Sequence, residues 1–365
     1  MSINHIRILL FSIVGILFLC GFKSAQKATN DIVLHDEDLN FTPTEFYIAR
    51  VTDNRANQNE VASIIYKEAH GYITRPADLK GGAASSIKSF IEHNLDRNAS
   101  LRPVIISIKE LKLTETSPSP GLIDGRLVVS ISFGLQRDYG VVTQLVGYSG
   151  GTHYTRSEAQ TDVPESIMRK GLENALTYFN NWINKYANSD LRLAKAVKVT
   201  FTDYTEKPEG DTIYYSTKRP LAWSDFQDKP NSGPYEAEVF AGIGYTEHTA
   251  VEKGIIHVIL DIKVDIPKSA AWVRGMHDDY ILNHEQRHFD IAKIVSEHFR
   301  QKIASMKLPV DTYDGYINEQ YLETLREETR MQKQYDRETH HGTDREAQAA
   351  WNEKIDQELK ALGVK

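Results

Sequence analysis

The 365-residue chain contains a single cysteine, Cys20, so no internal disulfide can staple it, and if cleavage after Ala25 removes that residue any metal site needs nitrogen and oxygen ligands. Its most continuous apolar run, Ile8 to Leu19, is about a dozen residues, short of the roughly twenty that span a bilayer. No basic run and no Gly-rich phosphate loop occurs, and the formal net charge is -7, so nucleic acid is not an expected partner. What remains is ordinary globular material, 41% hydrophobic and 25% charged.

The apolar run follows Arg7 and precedes Lys23, Ser24, Ala25 and Gln26, the layout of a secretory signal. Cleavage is expected after Ala25, although Lys23 stands where a small residue is usual. Removing Arg7 and Lys23 takes the net charge from -7 to -7 - 2 = -9. Cys20 would be the acylated residue of a lipoprotein, but Phe18 and Leu19 occupy positions where small residues are needed, so membrane attachment is expected only if Cys20 is lipidated. The expected location is secreted, periplasmic or cell-envelope.

A mature chain of roughly 340 residues exceeds one ordinary core, which predicts two domains. Residues 1–25 read as the signal, 26–42 as a polar tether, 43–194 as the first domain and 195–365 as the second, with Lys195 the boundary. In the first, strands are expected at Phe46 to Val51, Val104 to Leu113, Leu127 to Leu135 and Val141 to Tyr148, with Pro118, Pro120, Gly121, Gly125 and Gly140 as separators. Helices are expected at Ser85 to Leu95 and Pro164 to Ala187. This layout, with a strand ending near Asp53 and Arg55, resembles the small α/β domain of bacterial envelope lipoproteins and transport-auxiliary proteins. The resemblance implies binding or assembly, with an envelope protein as the partner, more readily than catalysis.

The second domain opens with a strand at Val197 to Tyr204 and continues through paired strands at Val239 to Tyr245 and Ile255 to Val264. It then carries His284-Glu285-Gln286-Arg287-His288 in a helical pattern capped by Asp278 or Asp279. Histidines four apart share a helix face, so both can reach one zinc ion, and the glutamate between them can act on a metal-activated water. Taking His284 as the origin, His288 falls at about 40°, Ile291 at about 340° and Val295 at about 20°, so the histidines crown an apolar stripe, with Glu285 on the core-facing flank. The alternative is a surface helix with solvated histidines and Glu285 paired to Arg287 or Lys293.

A catalytic zinc takes three protein ligands and leaves one position for water. Asp290, at about 240° on the helical wheel, faces away from both histidines, and His298 lies about 21 Å along the axis. The third ligand must come from elsewhere, and Tyr335 to Gly342 is the best source. It ends a polar helix from near Tyr316, with Gly342 as the stop and Thr343-Asp344-Arg345-Glu346 as a capping box for a last helix. The alternative for His340 and His341 is service at a helix C-terminus.

Arg219 to Phe226, Asn283 to Asp290, Tyr335-Asp336 through Thr339, His341-Gly342, Gln348 and Trp351 together resemble a bacterial family of predicted secreted zinc-dependent proteases, over about residues 196 to 365. The resemblance implies an α+β protein whose C-terminal domain is zincin-like, a short sheet packed on the metal-binding helix. Carried over by residue, it marks His284, His288 and His341 for Zn²⁺ and Glu285 as general base. Tyr335 and His340 are candidates for a hydrogen bond to the oxyanion, and Ile255 to Val264 for pairing with an extended peptide. The expectation is a metallopeptidase acting on a peptide or protein. The competing expectation is a zinc-holding, non-catalytic envelope binding or transport-auxiliary protein.

Overall fold

The computed structural model describes residues 30–365 apart from 138–139, 205–209, 231 and 276–277. The expected signal and Cys20 lie outside the described residues. The architecture is α+β, in two compact units that divide at Asn180/Asn181, upstream of the Lys195 estimate and inside a long helix.

The first unit is built on a seven-stranded sheet of β1 (Asn30–Ile32), β2 (Phe46–Asp53), β3 (Ala62–Glu68), β4 (Gly71–Leu79), β5 (Arg102–Ser119), β6 (Leu122–Gln136) and β7 (Val142–Ser157). The order is β1-β4-β3-β5-β6-β7, and β2 runs parallel to the first part of β5, on the edge that β3 takes up further along. Helices α1 (Ala83–Asn94) and α2 (Val163–Tyr186) complete it. Phe179 of α2 stacks on Phe133 at 4.2 Å and meets Phe46 edge-on at 4.8 Å, which anchors the helix to the sheet.

Three features depart from the sequence reading. Within the expected tether, Asn30–Ile32 pairs parallel with β4, and Ile32 and Leu39 are buried. Strands β3 and β4 fill a stretch given no element. Strands β5 and β6 outrun their expected limits because Pro118 and Gly125, read as separators, sit inside them, and β7 runs on past Tyr148 through Gly150 and Gly151. At Gly125 the Tyr154 ring occupies the space of a side chain, leaving a Cβ only 2.1 Å from it, so this glycine serves cross-strand packing and not a turn.

The second unit contains β8 (Ala196–Asp203), β9 (Thr212–Tyr214), β10 (Ala237–Glu238), β11 (Gly242–Glu252), β12 (Ile255–Pro267), β13 (Trp272–Val273), α3 (Asp279–Ala304), α4 (Tyr313–Thr339) and α5 (Arg345–Ala361). Strand β12 is central, antiparallel to β11 and parallel to β8, with β9 also on it. Its alternation buries Ile256, Val258, Leu260, Ile262, Val264 and Ile266, which pack with Phe289, Ala292, Val295 and Phe299 of α3. The opposite side of α3 places Ile291 and Ile294 against Tyr335 of α4 and Trp351 and Ile355 of α5. Helix α3 is thus enclosed on both sides, and its polar residues are held in a fixed setting.

Candidate metal centre

Asp278 caps α3 by accepting the Tyr280 N–H at 2.8 Å, which fixes the helix start one turn before the pentad. His284, Glu285 and His288 are 6%, 3% and 8% exposed. Arg287 is tied to Asp290 and Asp356, and Lys293 to Asp203 and Glu297. The surface-helix alternative is therefore excluded, since neither cation pairs with Glu285.

Two glutamines set the imidazoles. Gln348 on α5 spends its side-chain N–H groups on the Tyr335 hydroxyl at 2.7 Å and Asn352 at 2.9 Å, so its carbonyl accepts from His284 Nδ1 at 2.9 Å. Gln332 on α4 donates to the His288 carbonyl at 2.9 Å and accepts from His288 Nδ1 at 2.6 Å. With Nδ1 carrying the proton in each ring, both Nε2 atoms present lone pairs. They face Asp336 Oδ1 on α4, at 3.4 Å from His284 and 3.0 Å from His288.

Asp336 Oδ1 is buried without a well-formed hydrogen bond. Two imidazole lone pairs and a carboxylate oxygen within 4.8 Å of one another form a group that could hold a metal ion. A set of N, N and O donors suits zinc. Burial pushes the Asp336 carboxyl up, yet the two histidines outweigh it and hold it well below the ordinary carboxylate range. Desolvation opposes charge on His288, but the adjacent Asp336 carboxylate and the field of Glu285 prevail and raise it to about 8, so a positive charge at Nε2, as proton or as metal ion, is favoured. The cluster thus favours a cation at its centre.

Glu285 points into the same space. Burial raises its carboxyl pKa against the lowering fields of His288 and His284, and the Val239 N–H is its hydrogen-bond donor. A cavity of about 740 Å³ opens over the group, bounded by residues 234–241 on one side and by Tyr280, His340, His341 and Arg345 on the other.

The third donor differs from the one expected. His341 lines the cavity but is 43% exposed in its side chain and does not join the converging group. Its Nδ1 is 3.7 Å from Asp336 Oδ1, and its Nε2 is 3.3 Å from the Tyr235 hydroxyl, whose ring lies against it. His340 is the left-handed C-cap of α4, with its side chain 73% exposed, matching the alternative of service at a helix end. Tyr335 is wholly buried beneath the site, donating to the His284 carbonyl at 3.3 Å and stacking on the His284 ring. That is a positioning role, away from the reach of an oxyanion. Asp290 lies behind the helix as expected, bound to Tyr215, Gln286 and Arg287. Gln286 also accepts the Leu221 N–H, which joins the Arg219 to Phe226 segment to the pentad.

Between α4 and α5, His340, His341 and Gly342 all have positive φ, at 48°, 54° and 76°. This left-handed turn sends α5 back so that Gln348 meets His284. Asp344 caps α5, accepting from the Glu346 and Ala347 N–H groups, so the cap sits one residue later than the expected capping box. A Cβ on Gly342 would fall 3.1 Å from the His284 ring. Gly342→Ala is expected to lower stability by about 1–2 kcal/mol from the left-handed backbone, measured as a shift in the urea midpoint.

Both edges of β12 are occupied, so the expected peptide pairing along Ile255 to Val264 cannot occur there. The strand bordering the cavity is β10, whose partner is β13.

A family described as a bacterial protein of unknown function, DUF922, matches residues 255–342. No curated protein matches the chain. Among solved structures, an uncharacterized protein aligns at 6% identity over 42% of this chain and 99% of its own, with a TM-score of 0.23. A minor lipoprotein from Acinetobacter baumannii aligns at 8% identity over 37% and 91%, with a TM-score of 0.20. A Xanthomonas campestris protein of the DUF330 family aligns at 5% identity over 44% and 97%, with a TM-score of 0.23. Among the described residues, no helix is long and apolar enough to cross a membrane.

Proposed function

We propose that this protein is a zinc-dependent metallopeptidase of the secretory route or cell envelope. The carrying observation is the convergence of His284 Nε2, His288 Nε2 and Asp336 Oδ1 beside the buried Glu285, under an open cavity. A zinc ion held by these three residues would supply a Lewis acid that polarises water and the scissile carbonyl. Glu285 takes the proton of the attacking water and delivers it to the leaving nitrogen as the C–N bond breaks. Its upward-shifted carboxyl favours accepting that proton. Gln332 and Gln348 keep both rings oriented, and Tyr335 backs them from below.

An extended peptide fits the cavity wall. Arg274 N–H donates to the Glu236 carbonyl at 2.6 Å, so Glu236 and, two residues on, Glu238 are the positions that bond β13. Ala237, opposite Val273, therefore turns its N–H and carbonyl the other way, as does Val239, whose N–H meets Glu285. That edge faces the site and offers backbone groups to a substrate strand. The signal-like N-terminus supports an envelope or secreted setting.

The test is metal analysis of protein purified without added zinc, followed by incubation with a peptide library before and after chelation. Near-stoichiometric zinc, with cleavage lost on chelation and restored by zinc, is the expected result. Absence of bound metal and of cleavage in zinc-replete protein would dispose of the reading.

A further inference from the structure

On the α5 side of the cavity, Arg345 carries a guanidinium that the fold positions but does not use. It lies over the Tyr280 ring at 4.3 Å, and that ring is held in turn by its hydroxyl, which donates to the Gly342 carbonyl at 2.7 Å. Arg345 is exposed, lines the cavity and, among the described residues, pairs with no carboxylate. The acidic groups whose fields reach Tyr280, Asp344 and Asp278, are occupied at helix starts, Asp344 by the Glu346 and Ala347 N–H groups and Asp278 by that of Tyr280. The start of α5 is therefore already capped, and what borders the cavity is a side-chain cation on an aromatic platform. Across the cavity, residues 234–241 bring Glu236 and Glu238 to the wall. An anion entering the cleft is turned from that wall and towards Arg345.

We infer that Arg345, stacked on Tyr280, binds a carboxylate of the substrate and so sets the specificity of the cleft; the inference rests on the metallopeptidase reading and names the class of peptide taken. A guanidinium presents a planar fork of N–H donors that matches a carboxylate at two points, and stacking restricts its motion beforehand, so less freedom is lost on binding. Tyr280 stands four residues before His284, on the same helix face and about 6 Å from it. At roughly 3.3 Å per residue of extended chain, a carboxylate on Arg345 belongs to a residue within about three of the bond over the metal centre. Two sources satisfy this, the free C-terminus of a peptide and the side chain of an internal Asp or Glu.

A synthetic peptide library, each member made with Glu and with Gln and with a free and an amidated C-terminus, tests this on the whole protein. Binding is read by mass spectrometry on zinc-replete protein carrying Glu285→Gln, in which turnover is suppressed. Carboxylate-bearing peptides are expected to bind about tenfold more tightly than their amide counterparts, the effect of one charge-assisted contact. Arg345→Gln in the same background should bring that ratio near to one with the circular dichroism unchanged. A preference for free C-termini identifies the first source and a preference for Glu the second, and either supports the inference. No preference, or one that survives in Arg345→Gln because the metal itself holds the carboxylate, overturns it. Cleavage by the zinc-replete wild type separates this from the reading beneath it. Cleavage that does not favour carboxylate peptides keeps the metallopeptidase and removes the role of Arg345, whereas a carboxylate preference in binding with no cleavage keeps Arg345 as a ligand contact and removes the peptidase.

Discussion

Replacing Glu285 with Gln is expected to cut turnover by about 10²–10⁴-fold, the share usually carried by a positioned acid–base group, with the zinc content unchanged. The two halves of this expectation rest on separate observations. Glu285 is not among the three converging donors, so the ion loses no ligand. Glutamine keeps the volume of a side chain that is 3% exposed and can still meet the Val239 backbone, so the core does not have to repack. The amide, however, cannot take a proton from water and pass it to the leaving nitrogen. Turnover in the variant within a few-fold of wild type, at equal zinc content, would remove Glu285 from the chemistry and leave the protein a metal-holding binder.

The second large effect separates Asp336 from His341. Asp336→Ala removes one of three donors and leaves two imidazole lone pairs facing each other across the gap. Zinc affinity is expected to fall by at least about 100-fold, more than the loss of an outer-shell partner brings. His341→Ala deletes a half-exposed ring that bonds Tyr235, and zinc affinity should stay within a few-fold of wild type. Competition titration against a chromophoric chelator measures both, with circular dichroism checking that each variant is folded. The reverse ranking would return His341 to the metal and make Asp336 a supporting residue.

The helix, the pentad and the core-facing flank of Glu285 were legible in the sequence because they are local. Histidine spacing, an aspartate cap and the apolar stripe all lie within residues 278–295, and helical geometry alone puts them on one face. The third donor was less legible because it depends on how α4 docks against α3. Asp336 stands in the block that carries the family resemblance, yet the resemblance marks His341, and a histidine at a sharp turn between two helices can point into a cleft. The missed signal was helical spacing in α4, where Gln332 and Asp336 are four apart and so rise together beside His288. Tyr335 was misplaced for the same reason, as a one-residue step along α4 turns a side chain from the cavity to the interior. In the first unit the strands outran their expected limits because a glycine under a tyrosine ring cannot be told from a turn glycine in the sequence.

The donor set also bears on how the second unit is held together. His284 and His288 belong to α3, while Asp336 arrives from α4 after an intervening loop, so one ion would join segments about fifty positions apart. In a chain whose sole thiol is Cys20, such an ion would be a reversible cross-link, available only after the helices have found each other. Binding then favours the docked form by mass action, by about 2.7 kcal/mol at a free-ion level one hundred times the dissociation constant. A protein of this design would be looser while zinc is scarce and would tighten as its supply rises.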